Sequence, residues 1–258
     1  MKGKKRPLWK KILTFLWKIY GLLVVYIPII FMFPFMLVII PFSYKLFWKI
    51  ERLWARWILL AMGLPAKILN PELRPDFSRQ YIIVANHTSM IDIPLMLSVI
   101  KRPLTFVGKK ELAQYPLFGY LYKKTNVLVD RSSLQSRKKV YDEVEKFIQN
   151  GISIGIFPEG GVIENSDAPL NPFKAGAFKM ALEHKLPILP LVFLDNKKRL
   201  PYHLFQGSPG PLRVKFLPVV ETGHLKPDDW QDLRDYVYSI MYNELLQDEL
   251  KSKGVKID

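Results

Sequence analysis

A histidine and an aspartate five residues apart, His87 and Asp92, are the pair in this 258-residue chain with an evident chemical use. A neutral imidazole takes up a proton near pH 7, and a carboxylate on its other ring nitrogen holds its tautomer and orientation. The pair stands in Asn86-His87-Thr88-Ser89-Met90-Ile91-Asp92, after an apolar run at 81–85 and before a helix-compatible run at 93–100. On a regular helix five residues turn through about 500°, so the two side chains would not share a face. They meet if His87 lies on a strand-to-helix turn and Asp92 in or near the first helical turn. The plain alternative makes Asp92 a helix cap and His87 an ordinary turn residue.

The rest of the chain supplies elements that could present such a turn. The runs 81–85, 104–107, 127–129, 152–157, 187–194 and 213–217 read as strands. The stretches from 92 to about 100, 136–149, 176–184 and 230–250 read as helices, with a helical stretch at 111–123 broken at Pro116. Strands alternating with helices predict an α/β fold, a layered sheet flanked by helices. Gly151-Ile152-Ser153-Ile154-Gly155 matches G-x-S-x-G, but its serine lies inside an apolar run that continues to Phe157, whereas a nucleophile elbow needs a sharp turn there. No HExxH or spaced acid cluster suggests a metal.

Composition narrows the partners. The absence of cysteine excludes disulfides, thiolate catalysis and Cys-ligated zinc. A net charge of +15 suits nucleic acid, an anionic membrane or a phosphorylated small molecule. Its location favours the membrane over nucleic acid. Lys2, Lys4, Lys5, Arg6, Lys10, Lys11 and Lys18 precede residues 19–44, which carry no charge. As a helix that run would be roughly 39 Å long, enough for a bilayer core of about 30 Å, and too long for a signal peptide. Pro28, Pro34 and Pro41 interrupt it. Beyond it, Lys45, Lys49, Arg52 and Arg56 make one helical face, with Phe47, Ile50, Trp54, Trp57, Ile58 and Ala61 largely opposite, the pattern of a helix lying among headgroups. Basic flanks on both sides favour a re-entrant hairpin with both ends cytoplasmic over a single span, and either over a buried core helix pair. Residues 1–65 are therefore expected to form a membrane-binding helical hairpin. Residues 66–258 are expected to form the catalytic domain, at the cytoplasmic face of the cytoplasmic membrane.

Four segments in order resemble the glycerophospholipid acyltransferases of the lysophosphatidate acyltransferase (PlsC-like) type. They are Asn86-His87 with Asp92, then Val127-Leu128-Val129-Asp130-Arg131, preceded by Val107-Gly108-Lys109-Lys110. Phe157-Pro158-Glu159-Gly160 and Leu186-Pro187-Ile188-Leu189-Pro190 follow, with Phe173-Lys174-Ala175-Gly176 between. The resemblance implies that His87 takes the proton of a lysophospholipid hydroxyl, supported by Asp92, and that the oxygen attacks an acyl thioester. The donor would be acyl carrier protein or coenzyme A, with no other cofactor. Arg131, Glu159 and Gly160 would bind the acceptor's glycerol phosphate, with Lys109 and Lys174 adding charge. Arginine suits that role because its guanidinium meets a phosphate with two parallel hydrogen bonds. The expected reaction makes phosphatidic acid from 1-acyl-glycerol-3-phosphate. In place of the family's usual Thr-Arg after Glu-Gly, this chain has Gly161 and Val162. A different lysolipid acceptor, such as a lyso-aminolipid, or thioester hydrolysis, is the alternative.

Overall fold

The computed structural model describes residues 6–129, 134–162 and 168–255, with the side chains of 134–139 left aside. In chain order come α1 (Leu8–Phe42), α2 (Tyr44–Ala61), β1 (Ala66–Ile68), β2 (Ile82–Ala85), α3 (Asp92–Val99), β3 (Leu104–Lys109), α4 (Phe118–Thr125) and β4 (Val127–Val129). Then follow α5 (Leu134–Gln149), β5 (Ser153–Ile156), α6 (Gly176–Glu183), β6 (Ile188–Phe193), the one-turn α7 (Asn196–Arg199), β7 (Leu212–Phe216) and α8 (Trp230–Ser252).

The seven strands make one sheet in the order β1-β7-β6-β2-β5-β3-β4, parallel throughout except for the antiparallel β6–β7 pair. All four residues of β2 are buried, as a parallel strand covered on both faces requires. Alternation divides them. Ile83 and Ala85 point into a core shared with α2 and α3, and Ile82 and Val84 into one shared with α5, α6 and α8. Pro190, in register with Val84, sits in the centre of the sheet. Its carbonyl accepts from Leu217 N on the β7 side, at 3.0 Å. A residue's N–H and C=O point the same way in a strand, so the missing N–H ends the β7 ladder there and leaves the β2 ladder whole. Because β2 lies between β6 and β5, the segments leaving the C-terminal ends of these three strands converge at one edge.

The N-terminal element differs from the sequence reading. No re-entrant turn forms inside 19–44. α1 is one continuous helix through Pro28, Pro34 and Pro41, and the chain reverses at Ser43. Each proline removes one intrahelical bond without forcing a break in apolar surroundings. α1 is the described helix long and apolar enough to cross a membrane, and only 17% of its most apolar window is buried, too little for a core helix. It lies along the domain at both ends. Ile29 and Met36 cluster with Leu121 of α4, and Arg6 and Lys18 bond to the loop before β7.

The assignment of α2 is also corrected. Of the face expected in lipid, Phe47 and Ile58 are buried, Trp54 and Ala61 are half-buried on the domain and Trp57 stays exposed, while Trp48, Ala55 and Leu59 are buried beside them, with α3 the chief neighbour of the helix. Arg52, expected among headgroups, donates to Ile100 O and Ser98 O at 3.0 and 3.2 Å, capping the end of α3. An amphipathic period identifies a helix with an apolar face, but a protein core and a bilayer satisfy that face equally well.

Candidate active site

β2 ends where Asn86 locks it to β6. Asn86 Nδ2 donates to Phe193 O at 3.0 Å, and Phe193 N donates to Asn86 Oδ1 at 2.8 Å. The chain then turns, and Asp92 opens α3. The turn brings His87 Nδ1 to 2.7 Å from Asp92 Oδ2. Asp92 does not cap its own helix as the plain alternative has it. Its donors come from the preceding turn, Thr88 N at 2.7 Å and Ser89 N at 2.9 Å, both on Oδ2. Oδ1 accepts from Asn196 Nδ2 of α7 at 2.6 Å. Four donors surround this fully buried carboxyl group and replace the hydrogen bonds it would make to water. With Nδ1–H given to the carboxylate, the lone pair of His87 is on Nε2. The ring lies against Phe157, centroids 4.1 Å apart and 18° from parallel, and 18% of the side chain remains exposed. Asp92 is thus sealed while His87 can meet a substrate.

Glu159, on the segment leaving β5, ties this turn to the next. Its Oε1 accepts His87 N at 2.6 Å, and its Oε2 accepts Asn171 N and Nδ2 at 3.1 and 2.6 Å. Burial pushes the Glu159 carboxyl above the usual range, against the downward pull of these donors. Both its oxygens accept from the protein and so brace the His87 backbone, and Glu159 also lines the cavity beside His87. Gly160 follows with a left-handed φ of 80°, a backbone conformation that favours glycine.

A cavity of about 690 Å³ opens beside His87, within the size range of ligand-binding clefts. Thr88, Glu159, Val162, Asn171, Lys197 and Lys198 line it near the pair, and Arg213 and Asp248 at greater sequence distance. Thr88 Oγ1 is buried with no partner among the described residues. Arg213 is held between Asp195 and Asp248 at 2.8 and 2.7 Å, and the hydrogen bonds it donates to these two carboxylates raise its pKa further. Burial pushes Asp195 up, but Arg213 outweighs it and holds that carboxyl below its ordinary range. This charge is internally balanced, whereas Lys198, on the one-turn α7, lines the same cavity.

Comparison with known proteins decides what this arrangement is. A family model described as Acyltransferase matches residues 66–194, from β1 through β6. A 1-acyl-sn-glycerol-3-phosphate acyltransferase of Cocos nucifera is 30% identical over 223 residues, covering 83% of this chain and 68% of the relative. The chain belongs to this acyltransferase family. An Escherichia coli (strain K12) enzyme of the same name is 30% identical over 168 residues, 64% of this acyltransferase and 67% of its own length. One from Limnanthes douglasii is 32% identical over 190 residues, and the chain spans 63% of that relative's length. The crystal structure of the 1-acyl-sn-glycerophosphate (LPA) acyltransferase PlsC from Thermotoga maritima superposes with a TM-score of 0.77 over 92% of this chain and 97% of that one. At 21% identity the likeness is one of fold.

The remaining residues expected at the acyltransferase site divide. Arg131 and its neighbour Asp130 lie outside the described residues. Lys109 ends β3 at the same sheet edge as His87, exposed and away from the cavity lining. Lys174 also lies off the lining, across Gly160. Ser153 of the G-x-S-x-G match is fully buried in β5, where its Oγ accepts from Tyr81 N at 3.1 Å, a strand residue as expected. Sequence reasoning missed Asn171, Asn196 and the two lysines of α7. The available signal for α7 was a polar Asp195-Asn196 immediately after a wholly buried strand, at the edge where His87 was already expected.

Proposed function

We propose that this acyltransferase moves an acyl chain from a thioester donor to the free hydroxyl of a 1-acyl-glycerol-3-phosphate, yielding phosphatidic acid. The observation that carries the reading is the His87–Asp92 pair, ordered by four donors to the carboxylate and open to a cavity of about 690 Å³. His87 Nε2 takes the hydroxyl proton as the oxygen attacks the thioester carbonyl. The tetrahedral intermediate collapses, the C–S bond breaks, and the imidazolium returns its proton to the leaving thiolate. Asp92 stabilises the imidazolium between those steps.

The acceptor's phosphate needs cations. Val162 lines the cavity where the resembling family carries arginine, so Lys198 takes over that charge, with Arg131 contributing as the motif implies. An acidic donor, acyl carrier protein or coenzyme A, suits the same basic surface. α1 touches the domain at both ends, which favours embedding in one leaflet over a perpendicular span, with the active site at the cytoplasmic face.

An acceptor panel with purified protein tests the reading: lysophosphatidate against lysophosphatidylcholine, lysophosphatidylethanolamine and a lyso-aminolipid, with thioester loss followed in parallel. Lysophosphatidate should be acylated at least tenfold faster, with Lys198→Ala raising its KM roughly five- to tenfold at nearly constant kcat, the cost of one phosphate contact of about 1–1.4 kcal/mol. Faster transfer to another lysolipid, or thioester loss independent of acceptor, would replace this reading.

Asn196 yields a second expectation. Asn196→Ala leaves Asp92 Oδ1 buried without its donor, and kcat should fall about tenfold. Asn196→Asp keeps the shape but sets two carboxylates together in a dry site, forcing one to hold a proton, and kcat should fall about a hundredfold. If Asn196 only starts α7, aspartate would be the milder change, since an acid suits a helix start. The order of the two variants in steady-state kinetics decides.

A further inference from the structure

The loop between α7 and β7 has a division of labour that the acyltransferase reaction does not account for. Pro201, Tyr202, His203 and Gln206 line the cavity that contains His87. Between them, Leu204 and Phe205 point outward, 55% and 42% exposed. Two large apolar side chains at the tip of a loop are costly in water unless something covers them.

The loop is also fastened to α1. Arg6 Nη1 and Nη2 donate to Phe205 O and Gly207 O, both at 2.9 Å. Lys18 Nζ donates to Pro201 O and His203 O at 2.5 and 2.8 Å. The Phe205 ring lies 6.0 Å from that of Phe15 on α1. Four charge-assisted bonds to backbone carbonyls hold the loop's outer residues level with the outward face of α1, where Leu8, Ile12 and Leu16 are at least half exposed. Phe205 therefore meets α1 at Phe15, which is itself exposed, so Leu204 and Phe205 lie beside the exposed apolar residues of the first turns of α1.

We infer that Leu204 and Phe205 enter the lipid leaflet beside α1 and form the lip over which the acceptor passes from the bilayer to His87. The inference rests on the membrane reading given for α1, and its occupant is a phospholipid leaflet. A loop that contacts lipid with one set of residues and lines the catalytic cavity with the alternate set lets a lysolipid slide its headgroup inward while its acyl chain stays in the bilayer.

The cysteine-free chain allows a direct test. Leu204→Cys is labelled with the environment-sensitive fluorophore NBD and the full chain is reconstituted into phosphatidylcholine–phosphatidylglycerol vesicles, with flotation verifying binding. Asp235→Cys, exposed on α8 across the sheet from α1 and α2, serves as control. The label at 204 should shift to the blue, brighten severalfold and be quenched by lipids spin-labelled near the headgroup, while the label at 235 stays in water. A water-like label at 204 on vesicle-bound protein overturns the inference, as does a shift that spin-labelled lipid does not quench, which would signal a second protein chain. A kinetic arm uses Leu204→Asp/Phe205→Asp. Its KM for vesicle-borne lysophosphatidate should rise about tenfold, while turnover of a short-chain monomeric acceptor stays as in the parent. Quenching at 204 in a protein that fails to acylate lysophosphatidate would leave the lip standing and remove the proposed substrate alone.

Discussion

Asp92→Asn should lower kcat for acyl transfer by about 10²–10³-fold while leaving the fold nearly as stable as before. The size of the loss and the small structural cost have one origin. Oδ2 of Asp92 accepts from His87 Nδ1, Thr88 N and Ser89 N, so an asparagine must keep its carbonyl oxygen there. Its amide nitrogen then faces Asn196, whose Nδ2 now donates to Oδ1. Asn196 Oδ1 is buried and unpartnered, so a flip of the Asn196 amide restores a hydrogen bond between the two side chains. The turn keeps its shape and His87 keeps its tautomer. The negative charge that stabilises the imidazolium is lost. Because the tautomer survives, the loss should fall short of the roughly 10⁴-fold seen where the tautomer inverts. Steady-state kinetics together with thermal unfolding in detergent check both halves. A loss of stability of several kcal/mol would mean that Asp92 serves mainly to fold the turn.

The legible and the hidden parts of this site differ in sequence distance. His87 and Asp92 are five residues apart, bracketed by a buried strand and a helix start, so their meeting is a local question. The contact from Asn196 to Asp92 spans 104 residues and depends on β6 lying next to β2, a neighbour relation that apolar runs do not reveal. Asn171 reaches Glu159 from only 12 residues on, but within a segment that holds no helix or strand among its described residues and so carries no period to read. β1, three residues at the sheet edge, carries too short a period to stand out. The N-terminal element was legible as apolar helix and not as placement. Proline marks a lost hydrogen bond, and whether the helix breaks there depends on its surroundings, so α1 ran on where a turn was expected. In α2 the alternation was plain and its partner was not, since α3 answers the same apolar stripe that a bilayer would.

His87→Ala removes the proposed base and leaves the surrounding frame in place. Glu159 binds the backbone N–H of His87, and Asn86 is locked to β6, so neither tie depends on the imidazole. Thr88 N, Ser89 N and Asn196 still satisfy Asp92, and the vacated space beside Phe157 opens to the cavity, where water can enter. The variant should therefore fold and still bind acceptor, with KM for lysophosphatidate within about threefold of the parent, and lose turnover by about 10³-fold or more, the range of a positioned general base. Transfer of a labelled acyl group from thioester to lysophosphatidate by purified, folded His87→Ala protein is the measurement that bears most directly on this account. Product formation below about one part in a thousand of the parent rate at unchanged KM is the predicted result, on the same general-base estimate. Phosphatidate formation at the parent rate would contradict it and move the chemistry away from the end of β2.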